Sequence, residues 1–418
     1  MRSGRHGRRS QRAWHVAAVV ENVPLGADHR LRKQVEDLLG AGFRVSVVTM
    51  RHPDNAPYRD REGLRLLEYP PPPEGRGVAG FGLEYAASFL WASWSLARLR
   101  LRTPVDVVQL CQPPDVYFPA AWLMRWFGAR IVVDQRDLMP ETLAARNGHP
   151  GAQPSGGAMF ALLRWLERRS QRVAHRTITV NGYLRDRLER AGARDVAVVM
   201  NGPVMARARR AEPDPALRAG AEHLVVWVGK IGPQDSVDAV VRLAREVVLR
   251  RGRTDCRFVV IGDGESLAEL VEQTKDLGLQ RWVSFTGWVD EATVFAHLAT
   301  ADLGVDTSQQ VEVSPVKVME YMAHGLPVVC FDMQESRALA AGAAELVPVG
   351  DLAGFADAVL ALLDDPDRRR RLGACGRERV ERELAWEHQA SRYLHVVAPP
   401  SWGSAQPLPT EPIAWSRG

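Results

Sequence analysis

Short apolar segments alternate with longer segments of helical period along most of the chain. In the first half the apolar segments predict strands at Trp14–Val20, Arg44–Met50, Val105–Leu110, Ile131–Asp134, Thr177–Val180 and Val196–Met200. In the second half they predict strands at Leu224–Gly229, Arg257–Ile261, Val283–Thr286, Leu303–Val305, Pro327–Phe331 and Glu345–Pro348. Helical stretches such as Leu31–Gly40 and Met159–Ala174 lie between them. This alternation predicts βαβ units and therefore two mainly parallel sheets in tandem.

Length and composition divide the chain into two domains with flanking segments. A chain of 418 residues is longer than one hydrophobic core usually organises, which favours two domains of roughly 200 residues each. Residues 202–220 are rich in Ala, Arg, Pro and Gly and lack an apolar period, which is typical of a linker. We therefore predict a basic flexible tail (1–12), a first domain (13–203), a linker (204–222), a second domain (from 223) and a flexible tail (398–418). Surface loops are expected at 70–82 and 148–157.

Composition and charge exclude several classes of protein. A hydrophobic fraction of 46% with 25% charged residues is typical of a globular protein, not of a disordered chain or a multi-span membrane protein. The net charge is only +4, and five arginines lie in the first twelve residues, so the folded body lacks the basic face that nucleic acid requires. Four scattered cysteines predict a reduced chain without structural zinc. The longest apolar run, Tyr85–Ala97, is too short to cross a bilayer. We expect a cytoplasmic protein without a nucleic-acid partner.

The segment Val311–Gly325 carries the most informative pattern. Ser314 followed by Pro315 is typical of a helix start, with a hydroxyl cap and a proline ring at the first helical position. Free backbone N–H groups around Val316, with the charge of Lys317, would offer a positive helix end to a phosphate. On pattern alone, a capped amphipathic helix with surface glutamates is the alternative interpretation.

Two glutamates of this segment, Glu312 and Glu320, are separated by seven residues and followed by Tyr-Met-Ala-x-Gly-x-Pro-Val-Val. This spacing resembles the donor-site motif of the retaining glycosyltransferases of family 4, which have the GT-B fold. The resemblance extends over roughly Trp14–Tyr393. It implies an α/β protein with two doubly wound, Rossmann-like parallel-sheet domains that face a cleft. The first domain is then the acceptor-side domain, residues 223–384 are the nucleotide-sugar donor domain, and residues 385–397 form a closing helix.

Further segments resemble the same family in the same order. Val228–Lys230 is similar to the turn after the first donor-domain strand, and Val260–Gly264 and Phe285–Val289 are similar to the nucleotide-base region. The first loop, Asn22–Arg30, would approach the donor diphosphate. The resemblance therefore implies donor contacts from Gly26, Gly229, Gly262, Gly264, Gly287, Val289, Ser314, Val316 and Glu320.

The acceptor-side loop Asp134–Glu141 is similar to the family's Asp-x-His-Asp-Leu-x-Pro-Glu loop, but it departs from that pattern. Gln135 and Arg136 stand between the two aspartates, so the histidine is replaced. In the donor domain, Asp235 stands where the family has a second basic residue near the phosphates. These departures concern acceptor recognition and the balance of the diphosphate charge.

The resemblance implies a retaining transfer that needs no metal and no cofactor. Lys230, Lys317 and helix N-terminal amides would stabilise the leaving diphosphate. The acceptor hydroxyl would attack from the same face, assisted by a phosphate oxygen. Glu312 would hold the donor-sugar hydroxyls and Glu320 the two ribose hydroxyls, since each carboxylate oxygen accepts one O–H. Asp137 completes the expected catalytic set from the acceptor side.

The expected partners are a nucleotide sugar (UDP or GDP) and a glycan or lipid-linked acceptor. Two other functions fit the sequence. One is a sugar-nucleotide epimerase of the same fold, which would release an isomerised nucleotide sugar instead of a nucleoside diphosphate. The other is a non-catalytic partner subunit, which would bind the donor without transferring the sugar.

Two helical segments of the first domain predict an anionic membrane surface as a further partner, with the protein peripheral on the inner face of a membrane. Tyr85–Leu101 contains Trp91 and Trp94 and ends among arginines, and Met159–Arg172 places Trp165 among four more. Amphipathic helices of this composition lie in the headgroup layer. In the alternative interpretation, Trp91 and Trp94 belong to the core and the arginines form a solvated face.

Overall fold

The computed structural model describes residues 12–72, 77–147, 157–310 and 314–398. Strands and helices alternate along the chain, which confirms the expected α/β class. The strands of the first sheet are β1 His15–Val19, β2 Arg44–Met50, β3 Leu64–Tyr69, β4 Val107–Gln112, β5 Arg130–Gln135, β6 Arg176–Thr179 and β7 Val196–Val198. The strands of the second sheet are β8 His223–Val228, β9 Cys256–Ile261, β10 Val283–Phe285, β11 Leu303–Asp306, β12 Val328–Phe331 and β13 Ala344–Val347.

Helices cover both faces of each sheet. Those of the first domain are α1 His29–Gly40, α2 Ala56–Arg59, α3 Gly77–Arg102, α4 Phe118–Trp126, α5 Met139–Asn147, α6 Ala158–Val173 and α7 Gly182–Arg190. The short α8 Met205–Ala208 follows. The later helices are α9 Asp238–Arg245, α10 Leu267–Asp276, α11 Glu291–Thr300, α12 Val316–Ala323, α13 Gln334–Ala340, α14 Leu352–Asp364, α15 Pro366–Arg379 and α16 Trp386–Val397. A π-helical turn extends α9 to Arg250 and another extends α15 to Leu384.

Both sheets are parallel and doubly wound. The strand order is β3-β2-β1-β4-β5-β6-β7 in the first sheet and β10-β9-β8-β11-β12-β13 in the second. The register is continuous, with His223 opposite Cys256 at one end of the β8–β9 pair and Val228 opposite Ile261 at the other. The winding direction reverses between β1 and β4 and again between β8 and β11. Ligands bind parallel α/β sheets in the crevice at the carboxyl ends of such strands.

The last helix crosses back from the second domain to the first. Trp386 and Tyr393 of α16 are buried in the hydrophobic core that also contains β1 and α1. The Trp386 indole donates to Asp37 Oδ2 (2.8 Å), and the Tyr393 hydroxyl donates to Gln109 Oε1 (2.7 Å). These apolar and polar contacts attach the end of the chain to the first domain, so α16 ties the two sheets together.

The structure corrects three local expectations. The edge strand β3 was expected before the loop 70–82 but was given no bounds, because its side chains are only partly buried. Helix α3 begins at Gly77, inside the expected loop 70–82. The expected linker contains helical turns, and Met205 and Ala208 are buried against the donor domain. The tails 1–11 and 399–418 and most of the loop 148–157 lie outside the described residues. None of the helices in the described part of the chain has the length and apolar character needed to cross a bilayer.

Candidate active site

A cavity of about 350 Å³ opens between the two domains, near the carboxyl ends of the donor-domain strands. Helix α1 contributes His29 and Lys33 to its lining, and α12 contributes Val316 and Glu320. Val289, which follows β10, lines it as well. The structure therefore brings three of the sequence-predicted donor residues, Val289, Val316 and Glu320, into one cavity.

Lys33 carries a positive charge into this cavity opposite the carboxylate of Glu320. Its Nζ donates to Asn201 Oδ1 (2.7 Å) and to the carbonyl of Gly202 (2.8 Å), and it lies 4.6 Å from the centroid of the Trp386 ring. Burial lowers the pKa of Lys33 and raises the pKa of Glu320, while the attraction between the two charges opposes both shifts. The cavity thus holds an acid and a base from different domains, both perturbed by loss of hydration.

Tyr321, the neighbour of Glu320, fixes α12 against the sheet. Its hydroxyl accepts a hydrogen bond from the Val228 N–H (2.9 Å) and donates to the Val305 carbonyl (3.3 Å). The ring lies over Gly304, where a Cβ atom would approach Tyr321 Cδ2 to 2.4 Å. Because these contacts join the ends of β8 and β11, they set where Glu320 enters the cavity.

The predicted donor-site glycines allow two loops to pack backbone against backbone. A Cβ atom on Gly262, whose φ is +135°, would lie 1.9 Å from the Gly229 carbonyl oxygen. A Cβ atom on Gly264 would lie 2.2 Å from the Ile231 carbonyl oxygen. Gly262 also pairs with Gly287 in an isolated β-bridge. These glycines hold the turns after β8, β9 and β10 together, so their conformational freedom serves the shape of the site.

The two expected phosphate-binding lysines lie at the same edge of the donor sheet. Lys317 Cε lies 3.4 Å from the position that a Cβ atom on Gly229 would take, next to the exposed Lys230. Lys317 Nζ lies 3.4 Å from Asp306 Oδ1 and 3.3 Å from Ser308 Oγ. Both contacts are long for a charged donor, so Lys317 is positioned but not tightly bound.

The start of α12 differs from the sequence prediction. The helix begins at Val316, and Pro315, not Ser314, occupies the capping position, with no side-chain cap. The Val316 N–H donates to the Ser314 carbonyl (2.8 Å), so it is not the free donor that we expected. The prediction of a Ser314 hydroxyl cap is therefore wrong, because the chain makes a tight turn at Pro315 before the helix begins. Glu312 lies outside the described residues.

On the acceptor side, Arg136 occupies the place of the expected histidine and points into the protein. Its guanidinium donates to Asp28 Oδ2 (2.5 Å) and to Asp134 Oδ2 (3.3 Å), which joins the acceptor-side loop to the start of α1. Gln135 donates to the Asp137 carbonyl (2.9 Å) and stabilises the loop. The Asp137 side chain is solvent-exposed, yet surrounding protein reduces its hydration and raises its pKa, which Arg136 opposes.

Gly26 allows the first loop to pack closely, but against protein. A Cβ atom there would lie 2.0 Å from the backbone oxygen of Asp54. The Gly26 N–H also donates to Asn55 Oδ1 (3.3 Å). The close contact with this neighbouring turn explains by itself why position 26 requires glycine.

Family models match both domains of the chain. Residues 25–202 match the model described as glycosyl transferase 4-like domain, and residues 222–365 match the model described as glycosyl transferases group 1. Together the two models match well over half of the chain. The chain belongs to the group 1 glycosyltransferases. It is a glycosyltransferase of the GT-B fold that uses a nucleotide-sugar donor, as the resemblance of the glutamate segment implied.

Relatives of this glycosyltransferase cover nearly its whole length. The alpha-D-kanosaminyltransferase of Streptomyces kanamyceticus is 28% identical over 82% of this chain and 91% of its own. The glycogen synthase of Mycobacterium tuberculosis is 26% identical over 90% of this chain and 91% of its own. Among solved structures, sucrose-phosphate synthase from Thermosynechococcus elongatus is 17% identical, with a TM-score of 0.72 over 90% of this chain and 96% of the other. HepE from Anabaena, solved in complex with UDP, has a TM-score of 0.67 at 13% identity over 91% of this chain and 98% of its own. At these identities the structural likeness concerns the fold.

Several cavity residues of the glycosyltransferase were not predicted from its sequence. Lys33 belongs to an ordinary amphipathic helix, and Arg207 belongs to the segment interpreted as a linker, whereas His29 lies within the loop Asn22–Arg30 that was expected to approach the donor. Arg207 pairs with Glu291 (3.1 Å) at the rim of the cavity. Trp288 is 78% exposed and stands between Gly287 and Val289. Trp288 could have been predicted, because it lies within the segment Phe285–Val289 that the sequence analysis assigned to the nucleotide base.

Proposed function

We propose that this glycosyltransferase transfers a sugar with retention and without a metal, from a UDP- or GDP-sugar to a hydroxyl of a glycan or a lipid-linked acceptor. The observation that carries the proposal is the placement of Glu320 inside the interdomain cavity, on the helix whose first turn carries Lys317. One short helix thereby presents an acceptor for the ribose hydroxyls and a cation for the diphosphate. Glu320 and Lys317 lie close to the place where the winding of the donor sheet reverses, between β8 and β11, and nucleotides bind at such places in this class of fold.

The nucleotide would lie along the donor side of the cavity. The base would rest against Trp288 and Val289, where the lining is apolar and exposed enough to receive it. Glu320 accepts the two ribose hydroxyls, as a carboxylate suits a vicinal diol. Donor binding brings ribose hydroxyls to Glu320 in place of the water that hydrates its charge. The nucleotide therefore favours the ionised form of this carboxyl.

The diphosphate would then lie near Lys317 and Lys230, beside the packed glycine turns. A phosphate group is a stronger partner for Lys317 than its long contact with Asp306, so little is lost when the ammonium turns toward the ligand. The charge that develops on the leaving diphosphate is stabilised by these two cations. Asp137 and Glu312 would act on the acceptor and donor-sugar hydroxyls, respectively.

Metal independence is supported by these two cations, which would offset much of the diphosphate charge. Among the described residues, the side chains of Glu222, His223 and Asp255 lie close enough together to hold a metal ion. They lie at the amino ends of β8 and β9, at the opposite edge of the sheet from the cavity. A cation bound there would not reach a diphosphate held by Lys317.

The named substrates of relatives are consistent with this range of donors and acceptors. A mycobacterial relative, 28% identical over 64% of this chain and 73% of its own, is a GDP-mannose-dependent phosphatidylinositol monomannoside mannosyltransferase. HepE was solved with UDP. A lipid-linked acceptor would place this enzyme in the cytoplasm, on the inner face of a membrane.

The test is a thermal-shift screen with UDP-, GDP- and ADP-sugars, because a bound ligand raises apparent stability by mass action. The Glu320→Gln variant serves as the matched control and should lose most of the shift. With the donor identified, NMR of the product made in the presence of EDTA reports the anomeric configuration. An inverted product, or activity abolished by EDTA and restored by manganese, would contradict the proposal. Isomerised donor without nucleoside diphosphate would indicate an epimerase, and donor binding without transfer a non-catalytic subunit.

A further inference from the structure

Exposed apolar side chains are concentrated on one part of the acceptor-side domain. In the described residues, twelve of the sixteen exposed large apolar side chains belong to α3, α4 and α6 or directly follow α4. Scattered exposed apolar residues are normal on a soluble protein, but a contiguous group marks a site of interaction. The other four, among them Leu249 and Val349, are dispersed over the rest of the molecule.

Ring contacts join the three helices into one face. Phe118 of α4 and Trp165 of α6 pack edge to face, with ring centroids 5.7 Å apart. The Arg100 guanidinium of α3 lies 5.6 Å from the centroid of Phe127, which follows α4. We call this surface of α3, α4 and α6 the aromatic face. Because aromatic rings take part in the contacts at both helix boundaries, the three helices form one surface and not three separate patches.

Four tryptophans of α3 and α4 protrude from the aromatic face. Trp122 and Trp126 of α4 are 58% and 76% exposed, with ring centroids 6.0 Å apart. Trp91 and Trp94 of α3 are 44% and 61% exposed, so the alternative interpretation of them as core residues is wrong. Side chains of this size bury large areas when a partner covers them, so the face is suited to an interaction.

The charge of the aromatic face is one-sided. Arginines end α3, occur in α4 and form most of the polar surface of α6. The acidic residues within these three helices are Glu84, which is half-buried, and Glu167, which is buried. A groove of about 550 Å³ between α4 and α6 is lined by Trp122 together with Arg169 and Arg172. The groove therefore pairs an aromatic wall with two exposed cations.

We propose that the aromatic face binds an anionic lipid bilayer, with tryptophan rings at the headgroup level and arginines on lipid phosphates. Tryptophan and arginine suit this boundary because each combines an apolar body with a polar end. Each basic side chain near an anionic surface adds to the attraction, so the arginines select negatively charged membranes. The surface belongs to the acceptor-side domain, and the lining of the donor cavity includes no residue of α3, α4 or α6.

The experiment is co-sedimentation of the full chain with vesicles of phosphatidylcholine alone and with 30% phosphatidylglycerol, at low and high salt. We expect binding to the anionic vesicles at low salt, weakened severalfold by high salt. The double variant Trp122→Gln/Trp126→Gln should bind at least tenfold more weakly, and Arg169→Gln/Arg172→Gln should bind more weakly and with a smaller dependence on salt. The control Leu249→Gln/Val349→Gln removes exposed apolar groups from the other domain and should bind like the wild type. Thermal melting checks that each variant is folded.

Wild-type protein that stays in solution with anionic vesicles at low salt would overturn the proposal, as would equal binding by the tryptophan variant. Light scattering that shows a dimer dispersed by the Trp122→Gln/Trp126→Gln change would assign the face to a second copy of the chain and would also overturn it. Vesicle binding requires no donor. A failure of the proposed transfer reaction is therefore distinguishable from a failure of this proposal.

Discussion

Lys33 of α1 and Glu320 of α12 line the same interdomain cavity, and the charge of each favours the ionised form of the other. Burial acts in the opposite direction and dominates: it raises the pKa of Glu320 to about 7 and lowers the pKa of Lys33 to about 7. The two groups therefore titrate as a coupled pair near neutral pH. Since they belong to different domains, the protonation state of the cavity also depends on how the domains meet.

Donor binding should strengthen as pH rises through about 7, because only ionised Glu320 accepts both ribose hydroxyls. The Glu320→Gln variant should bind UDP or GDP more weakly by about 1–3 kcal/mol at pH 8, the cost of poorly paired buried polar groups. Titration calorimetry from pH 6 to 8 should show the ratio of wild-type to variant affinity rising with pH. Titration of the nucleotide phosphate is common to both proteins and cancels in this ratio.

The Lys33→Met variant serves as the control for this prediction. Loss of the attracting charge should raise the pKa of Glu320 further, so the increase in affinity should move to higher pH. Equal nucleotide affinity in the wild type and in Glu320→Gln would remove Glu320 from the ribose site.

Sequence patterns predicted the buried strands well, because strands buried on both faces are continuous apolar runs. The observed β2, Arg44–Met50, has the predicted bounds, and most others differ by one or two residues. The edge strand β3 was expected only as a strand before the loop 70–82 and was given no bounds, because its side chains are only partly buried. The start of α12 was predicted wrongly, since a capping pattern reports only a local preference and the chain turns at Pro315 before the helix begins.

The donor-domain half of the cavity could be predicted, because its residues belong to one local motif. Glu320 and Val316 lie within the segment that carried the resemblance to the family. Lys33 could not be predicted, because its role depends on its lining the same cavity as Glu320, which is 287 positions away in a chain of 418. The position of Arg136 was identified from sequence, but only the structure shows that its guanidinium is bound to Asp28 and Asp134.

Substitution of Gly262 by alanine should disrupt the donor site. A Cβ atom would lie 1.9 Å from the Gly229 carbonyl oxygen, so the two turns must separate. We expect a loss of stability well above the roughly 1 kcal/mol of a strained backbone alone, together with at least tenfold weaker donor binding. The matched control is Gly278→Ala, because Gly278 also has a positive φ (+69°) but has nothing within 4 Å of its Cβ position. Equal melting temperatures for the two variants would show that the packing of the turns is not needed.

Removal of the Arg136 guanidinium should destabilise the acceptor-side domain. Burial alone would raise the pKa of Asp134, but Arg30 and Arg136 together lower it to about 2. In Arg136→Gln, Arg30 still pairs with Asp134 (2.9 Å), while Asp28 loses its cation. We therefore expect a loss of about 1–3 kcal/mol in the free energy of unfolding measured with urea. Arg61→Gln breaks the exposed pair with Glu36 and should cost less than about 1 kcal/mol. A loss no larger than in this control would mean that the ion-pair network is not needed.

The last prediction concerns Asp115, which is 2% exposed and follows β4. Neither carboxylate oxygen has a hydrogen-bond partner of good geometry, since the nearby Gln135, which slightly lowers the pKa of Asp115, donates its amide to the Asp137 carbonyl. Burial, reinforced by the negative charge of Glu167, raises the pKa of Asp115 to about 8. The folded protein therefore holds a proton that the unfolded chain releases above about pH 4, the ordinary pKa of aspartate.

It follows that Asp115 makes the free energy of unfolding fall as pH rises from about 4 to about 8, because the unfolded chain binds fewer protons than the folded one over this range. Asparagine resembles the protonated carboxyl and cannot ionise, so Asp115→Asn should remove this contribution. The melting temperature of the variant relative to wild type should increase steadily from pH 5 to pH 8 and level off above that. The exposed Asp276→Asn change, at the end of α10, should leave a constant difference across the same range. A difference in melting temperature between Asp115→Asn and wild type that stayed constant from pH 5 to pH 8 would show that Asp115 is ionised in the folded protein at neutral pH.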